Sequence, residues 1–126
     1  MRKDIRDILK FTDEWFELGM IREDKLAEFK QQYKSGEDRD SANYRWKAFA
    51  AFLSTRESFD DETLRRLYRL GDSDPDSAIG VAMMVTILQM KECPGDILEN
   101  GAIDKQKFIR VTAKRWLAKR NRNQTA

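Results

Sequence analysis

Catalysis needs side chains that move protons, hold metals or attack, and this sequence offers few arranged for those tasks. It contains no histidine. That excludes Ser-His-Asp and Cys-His nucleophile activation, His-ligated zinc or iron, and imidazole proton shuttling. Its single cysteine, Cys93, cannot form an internal disulfide or a thiolate metal site and fits a reducing compartment. Cys93 precedes Pro94 at the end of an expected helix, where the negative end of the helix dipole raises a thiol pKa. A small packed side chain is expected there, not a nucleophile. Neither G-x-x-x-x-G-K-[ST] nor G-x-G-x-x-G occurs, so the main glycine-rich phosphate cradles are missing.

Carboxylates are abundant, at 22 of 126 residues, so pairs at helical spacing are expected by chance. Asp72-x-Asp74-x-Asp76 begins like a calcium loop. It then places Ser77 where the sharp turn wants glycine and Met83 where a bidentate Glu is needed, so helix capping is expected instead. Glu14-x-x-Glu17 and Glu57-x-x-Asp60 resemble the paired carboxylates of all-α nucleotide pyrophosphatases. Those enzymes hold magnesium between such pairs and phosphates. Glu14 and Glu17 share a helix face, whereas Glu57 and Asp60 straddle an expected loop-to-helix junction. A magnesium-dependent phosphohydrolase is therefore the third reading, and no cofactor or metal is expected.

Charge is unevenly distributed. Residues 104–126 hold eight Lys and Arg against one acid, Asp104, while residues 1–103 hold 16 basic and 21 acidic residues. On an expected last helix Lys107, Arg110 and Lys114 recur at i, i+3, i+7, and Lys119, Arg120 and Arg122 continue the run. Arg65 and Arg69, with Arg66, form a candidate extension on another helix. Such a stripe can meet an acidic protein or track a phosphate backbone. Its plainest role is to neutralise the negative end of its own helix and the acidic remainder. The expected function is a non-enzymatic protein-binding or scaffold module. The alternative is sequence-nonspecific nucleic-acid binding through the same residues.

The elements that position these groups read as helices. Ile5, Ile8, Leu9, Thr12, Trp15 and Phe16 line one face of a helix from about Arg2 to Leu18, and Gly19 suits the position just past its C-cap. A second helix, Arg22 to Lys34, carries Leu26, Phe29 and Tyr33, and the tight connection implies an antiparallel pair. Ser35 to Asp40 is polar and reads as a loop. A third helix, about Ser41 to Ser54, is apolar on two sides. Trp46, Phe49, Ala50 and Leu53 form one face, and Tyr44, Ala48, Ala51 and Phe52 the other. A fourth starts at an Asp60 N-cap, turns Leu64, Leu67 and Tyr68 inward, and ends at Gly71. Gly95 to Gly101 holds one turn presenting Ile97 and Leu98. The last helix runs from about Asp104 to Arg120 on Phe108, Ile109, Thr112, Ala113 and Trp116, with 121–126 frayed. Trp15, Trp46 and Trp116 each sit on an apolar stripe and read as core.

Between Ala78 and Leu88 no residue is charged. A helix apolar all round needs cover all round, so 75–92 is expected as the buried centre, with Asp74 capping it and Pro75 in its first position. It is too short to span a bilayer, which takes about 20 apolar residues. The first residues, Met1-Arg2-Lys3-Asp4-Ile5-Arg6, lack the apolar core of a secretory leader, and a cytoplasmic location is expected.

Leu67-Tyr68-Arg69-Leu70-Gly71-Asp72-Ser73-Asp74-Pro75-Asp76, with the small-residue helix after it, resembles the junction inside a HEAT-type repeat. The resemblance implies an Asp-Pro turn between antiparallel helices, and a scaffold for protein or nucleic-acid partners. A compact bundle accounts for the same residues. The expected fold is therefore all-α: six to seven helices as stacked antiparallel pairs, HEAT-like or a compact bundle, in one domain over 1–126.

Overall fold

The computed structural model describes residues 12–34, 39–74 and 76–124. The fold is all-α, and no strand occurs among the described residues. By their internal contacts the residues form two compact units, Met1–Glu57 with Ser73–Gly80, and Ser58–Asp72 with Val81–Ala126.

In the first unit, residues 12–17 are helical and are called α1. Gly19 follows at φ +96°, the left-handed region where a side chain would be strained. The Met20 N–H bonds to Trp15 O and the Gly19 N–H to Phe16 O, both at 3.0 Å, which closes a Schellman motif and reverses the chain. A 3-10 turn, Glu23–Lys25, leads into α2, Leu26–Lys34. The two helices meet antiparallel. Trp15 and Phe29 rings lie 5.4 Å apart, and Lys30 Nζ is 2.9 Å from Asp13. Ile5, Ile8 and Leu9, the side chain of Tyr33, residues 35–38 of the expected loop, and Pro75 lie outside the described residues.

Helix α3 is Arg39–Leu53, so it starts two residues before the expected Ser41. Its buried residues are Ala42, Arg45, Phe49 and Phe52, one stripe at helical spacing. The expected second apolar face is covered only in part: Phe52 is buried and Ala48 half-buried, while Tyr44 and Ala51 are exposed. Trp46 is only half-buried, whereas Trp15 of α1 is completely enclosed. The buried stripe also includes a charged residue, Arg45, which residue type alone would place outside.

Helix α4 spans Asp61–Ser73, and all of it but Ser73 belongs to the second unit. Asp60 caps it as expected, its Oδ1 accepting the Thr63 N–H at 3.1 Å. The helix does not stop at Gly71, which is buried and helical. It continues to the residue before Asp74, whose helical conformation is disfavoured by the proline that follows it in sequence. Leu64, Leu67 and Leu70 are completely buried. Each contributes about 1.5–3 kcal/mol by leaving water.

Helix α5 is Ser77–Leu88, shorter than the expected 75–92 at both ends. Its first four residues belong to the first unit and the rest to the second. The start is set by Asp76, not Asp74: Asp76 Oδ1 accepts the Ile79 N–H at 3.1 Å. Ser77 and Ala78 are exposed, while Met83, Met84, Val85, Ile87 and Leu88 are buried, so the burial is concentrated in the second half. At the other end the Met90 N–H turns back to Ile87 O and terminates the helix.

Helix α6, Gly95–Gly101, buries Ile97 and Leu98 and packs on α7, Lys107–Gln124. A Cβ on Gly101 would lie 2.9 Å from Ala113 Cβ and 3.2 Å from Leu88 Cδ2, so this contact depends on the missing side chain. Helix α7 begins later than Asp104 because Gln106 is its N-cap: Gln106 Oε1 accepts the Ile109 N–H at 2.9 Å. It ends at Gln124, beyond the expected Arg120.

Candidate functional site

The two units use charge differently. In the first, Arg45 donates from Nε and a terminal nitrogen to the two carboxylate oxygens of Asp74, at 2.8 and 2.9 Å. Neither side chain reaches solvent. Asp74 Oδ1 also accepts the Asp76 N–H at 2.9 Å, which fixes the entry to α5. Burial pushes the Asp74 carboxyl up, and the Arg45 guanidinium pulls against it. This fork-to-fork pair is structural. A charged residue within an otherwise apolar stripe is the sequence signal for it, but the capping pattern before Pro75 points Asp74 to its own helix instead.

The calcium and magnesium readings do not assemble. Asp74 is committed to Arg45 and Asp76 to the α5 cap, while Asp60 caps α4. Among the described residues no group of three or more Asp, Glu, Cys or His could hold a metal ion. Cys93 is buried, and its Sγ lies 3.6 Å from Pro94 O. Its pKa is pushed up to about 11, chiefly by burial.

Of the seven basic residues expected to form a surface, four are engaged within the second unit. Arg65 makes a two-pronged contact with Asp96 at 3.0 and 3.1 Å, and holds that carboxyl below its usual range. Arg69 lies 3.8 Å from Glu62. Arg110 donates to the carbonyls of Asp104 and Lys105, closing the turn before α7. Arg120 donates to the carbonyls of Cys93, Lys91 and Met90 at 2.6, 3.0 and 3.5 Å, covering acceptors that follow α5. Lys119 has its Nζ 4.7 Å from the Trp116 ring centroid. Lys107 and Lys114 are exposed, and neither has a hydrogen bond or ion pair among the described residues. Within the expected stripe Arg110 is thus held by backbone carbonyls, and in its expected extension Arg65 and Arg69 are matched by carboxylates.

What the sequence did not predict is an apolar component on this same outer surface. Helix α7 buries Ile109, Thr112 and Ala113. Phe108, expected in the packed face, is 58% exposed, Val111 is 43% exposed, and Ile103 in the preceding turn is 79% exposed. Phe108 and Val111 are one turn apart, and Lys107, Lys114 and the exposed Arg115 share their face. The sequence carried a signal for this, since Phe108 and Val111 recur at i, i+3 among the basic positions.

A separate cleft of about 390 Å³ lies farther along α7, lined by Gln89, Met90, Lys91, Trp116, Lys119 and Arg120. A third feature is the Tyr68 hydroxyl, buried without a hydrogen-bond partner among the described residues, beside a cleft that includes Asp72, Asn100 and Asp104. Burial pushes the Tyr68 pKa up. Among the described residues no helix is long and apolar enough to cross a membrane. No protein family, curated protein or solved structure matches the chain.

Proposed function

We propose that this chain is a non-enzymatic protein-binding module, and that its contact surface is the outer face of α7. The observation that carries this reading is the exposure of Phe108 and Val111 among Lys107, Lys114 and Arg115 on one face of α7. Apolar side chains flanked by cations suit a protein segment that offers apolar anchors and acidic neighbours. The HEAT-like junction after α4 supports a scaffold role, because α4 and α5 are joined through only residues 74–76. Location is proposed to be cytoplasmic, on the single unpaired cysteine.

Nucleic-acid binding is the second reading, and it is favoured by Lys107 and Lys114, cations with no ion pair among the described residues. Affinity and its salt dependence both grow with the number of phosphates neutralised, so two or three contacts give only a weak complex. Arg65 and Arg69 are matched by carboxylates and Arg110 is held by two backbone carbonyls, which reduces the cations that can track a backbone.

The test is affinity capture from the native host by the intact chain and by the double variant Phe108→Ser, Val111→Ser. The expected result is a specific protein retained by the first and lost by the second, with helicity unchanged by circular dichroism. Equal retention by both overturns the reading. Micromolar binding of duplex DNA near physiological salt, lost in Lys107→Glu, Lys114→Glu, would transfer the surface to nucleic acid.

A further inference from the structure

The cleft at Trp116 joins a cluster of cations to an aromatic ring in one concavity, which the clefts at Tyr68 and Phe29 do not. Three of its six lining residues are cations, Lys91, Lys119 and Arg120, and no carboxylate lines it. The cleft at Tyr68 includes Asp72 and Asp104, and the one at Phe29 sets Glu28 beside Lys25. Elsewhere in the same unit, Arg65 and Arg69 are matched by Asp96 and Glu62. Three like charges around one concavity repel each other, and an entering anion relieves that repulsion.

The remaining lining is apolar or neutral: the half-buried Trp116, Met90 and the amide of Gln89. The volume, about 390 Å³, lies within the range of small-molecule sites. Arg120 is already fixed, since three backbone carbonyls hold its guanidinium. Binding therefore need not order that side chain again. The same bonds cover the carbonyls of Met90, Lys91 and Cys93, which would otherwise turn partial negative charge on an anion near the end of α5. Lys119 covers the indole face at 4.7 Å. Its stem is flexible, and drawing the ammonium toward an anion uncovers the ring for stacking.

We infer that this cleft binds a planar aromatic anion of the nucleoside-monophosphate class, with the ring against Trp116 and the phosphate among Lys91, Lys119 and Arg120. The site is separate from the Phe108–Val111 surface and does not depend on it.

The experiment is titration of the full-length ¹⁵N-labelled chain with adenosine monophosphate, followed by amide and indole N–H shifts. Adenosine and inorganic phosphate are run in parallel. The expected result is sub-millimolar binding of the nucleotide, with shifts concentrated at residues 89–91, 116 and 119–120. Adenosine, which lacks the charge, and phosphate, which lacks the ring, each bind at least about tenfold more weakly. Lys91→Glu with Lys119→Glu, both at exposed positions, abolishes binding while the remaining spectrum is kept. Binding of the nucleotide no tighter than either fragment, shifts located elsewhere, or unchanged affinity in the double variant would overturn the proposal. The Phe108→Ser, Val111→Ser variant is expected to bind the nucleotide normally, which separates this test from that of the protein surface.

Discussion

Two Arg-carboxylate pairs in this protein have nearly the same geometry and opposite surroundings. Arg45 and Asp74, in the first unit, are sealed from solvent. Arg65 and Asp96, in the second, are closed to a similar fork at 3.0 and 3.1 Å but lie at the surface. Geometry does not decide what such a pair is worth; the medium does. Water screens the surface pair and solvates either partner when the other is removed. A lone Asp74 would keep only the Asp76 N–H in place of water. The comparison extends to α7, where Lys107, Lys114 and Arg115 face water and are available for contact. The first unit encloses a charge pair within its fold, and the second keeps Lys107, Lys114 and Arg115 exposed on α7.

The sharpest way to break that contrast is to remove Arg45. Arg45→Met is expected to destabilise the protein by about 3–5 kcal/mol, because it leaves a buried carboxylate without its partner. For a chain of this size that corresponds to a fall of roughly 10–20 °C in Tm by differential scanning calorimetry. The loss should depend on pH with a definite sign. Burial already pushes the Asp74 carboxyl up, and without Arg45 only the Asp76 N–H opposes it. A carboxyl whose folded pKa is raised costs stability as pH rises above its unfolded value, so the variant should be closest to wild type below about pH 4. Asp74→Leu combined with Arg45→Met should recover much of the stability, since the pair is then replaced by apolar groups. Arg65→Met should leave Tm within experimental error.

A smaller effect is expected at Gly101, where packing and not charge is tested. Gly101→Ala places a methyl group 2.9 Å from Ala113 Cβ, a backbone-anchored neighbour that cannot rotate away. The expected cost is about 1–3 kcal/mol, read as a lower denaturation midpoint in urea. An unchanged midpoint would mean that α6 and α7 separate more easily than their packing implies.

Cys93 gives a smaller effect with a clear direction. Its pKa rises from 9.0 to about 11, first because it is buried. Between those values the unfolded chain loses the thiol proton and the folded chain keeps it, so stability falls as pH rises. Cys93→Ala should flatten part of that slope in urea melts across this range; Tyr68, shifted in the same direction, leaves a remainder. The thiol in wild type should react slowly with a water-soluble disulfide reagent at about pH 8 and quickly once unfolded.

Local signals were legible in the sequence. Gly19 took the left-handed position, Asp60 capped α4, and the uncharged run from Ala78 to Leu88 formed a helix. Each of these is decided within a few residues. What required tertiary structure was not legible. Asp74 and Arg45 are 29 positions apart, so the choice of Arg45 over the α5 cap as Asp74's partner depends on the packing of α3. Once Asp74 is taken, the cap passes to Asp76 and α5 starts later. Gly71 followed the same logic, since a glycine can end a helix but need not when its neighbours are buried. The candidate site was half legible. The basic residues were visible, but which of them are spent on internal carbonyls and carboxylates was not. Phe108 reads as core because its residue type outweighs its position, one residue away from the buried Ile109.

The most direct test of the contrast between fold-holding and free charge is the thermal melt of the triple reversal Lys107→Glu, Lys114→Glu, Arg115→Glu beside that of Arg45→Met. The account predicts a Tm for the triple variant equal to wild type or slightly higher, because a carboxylate at position 107 would sit at the positive end of α7, while Arg45→Met melts far lower. A triple variant that melts as early as Arg45→Met would show that the α7 charges hold the fold, and the surface would lose its claim to be a binding face.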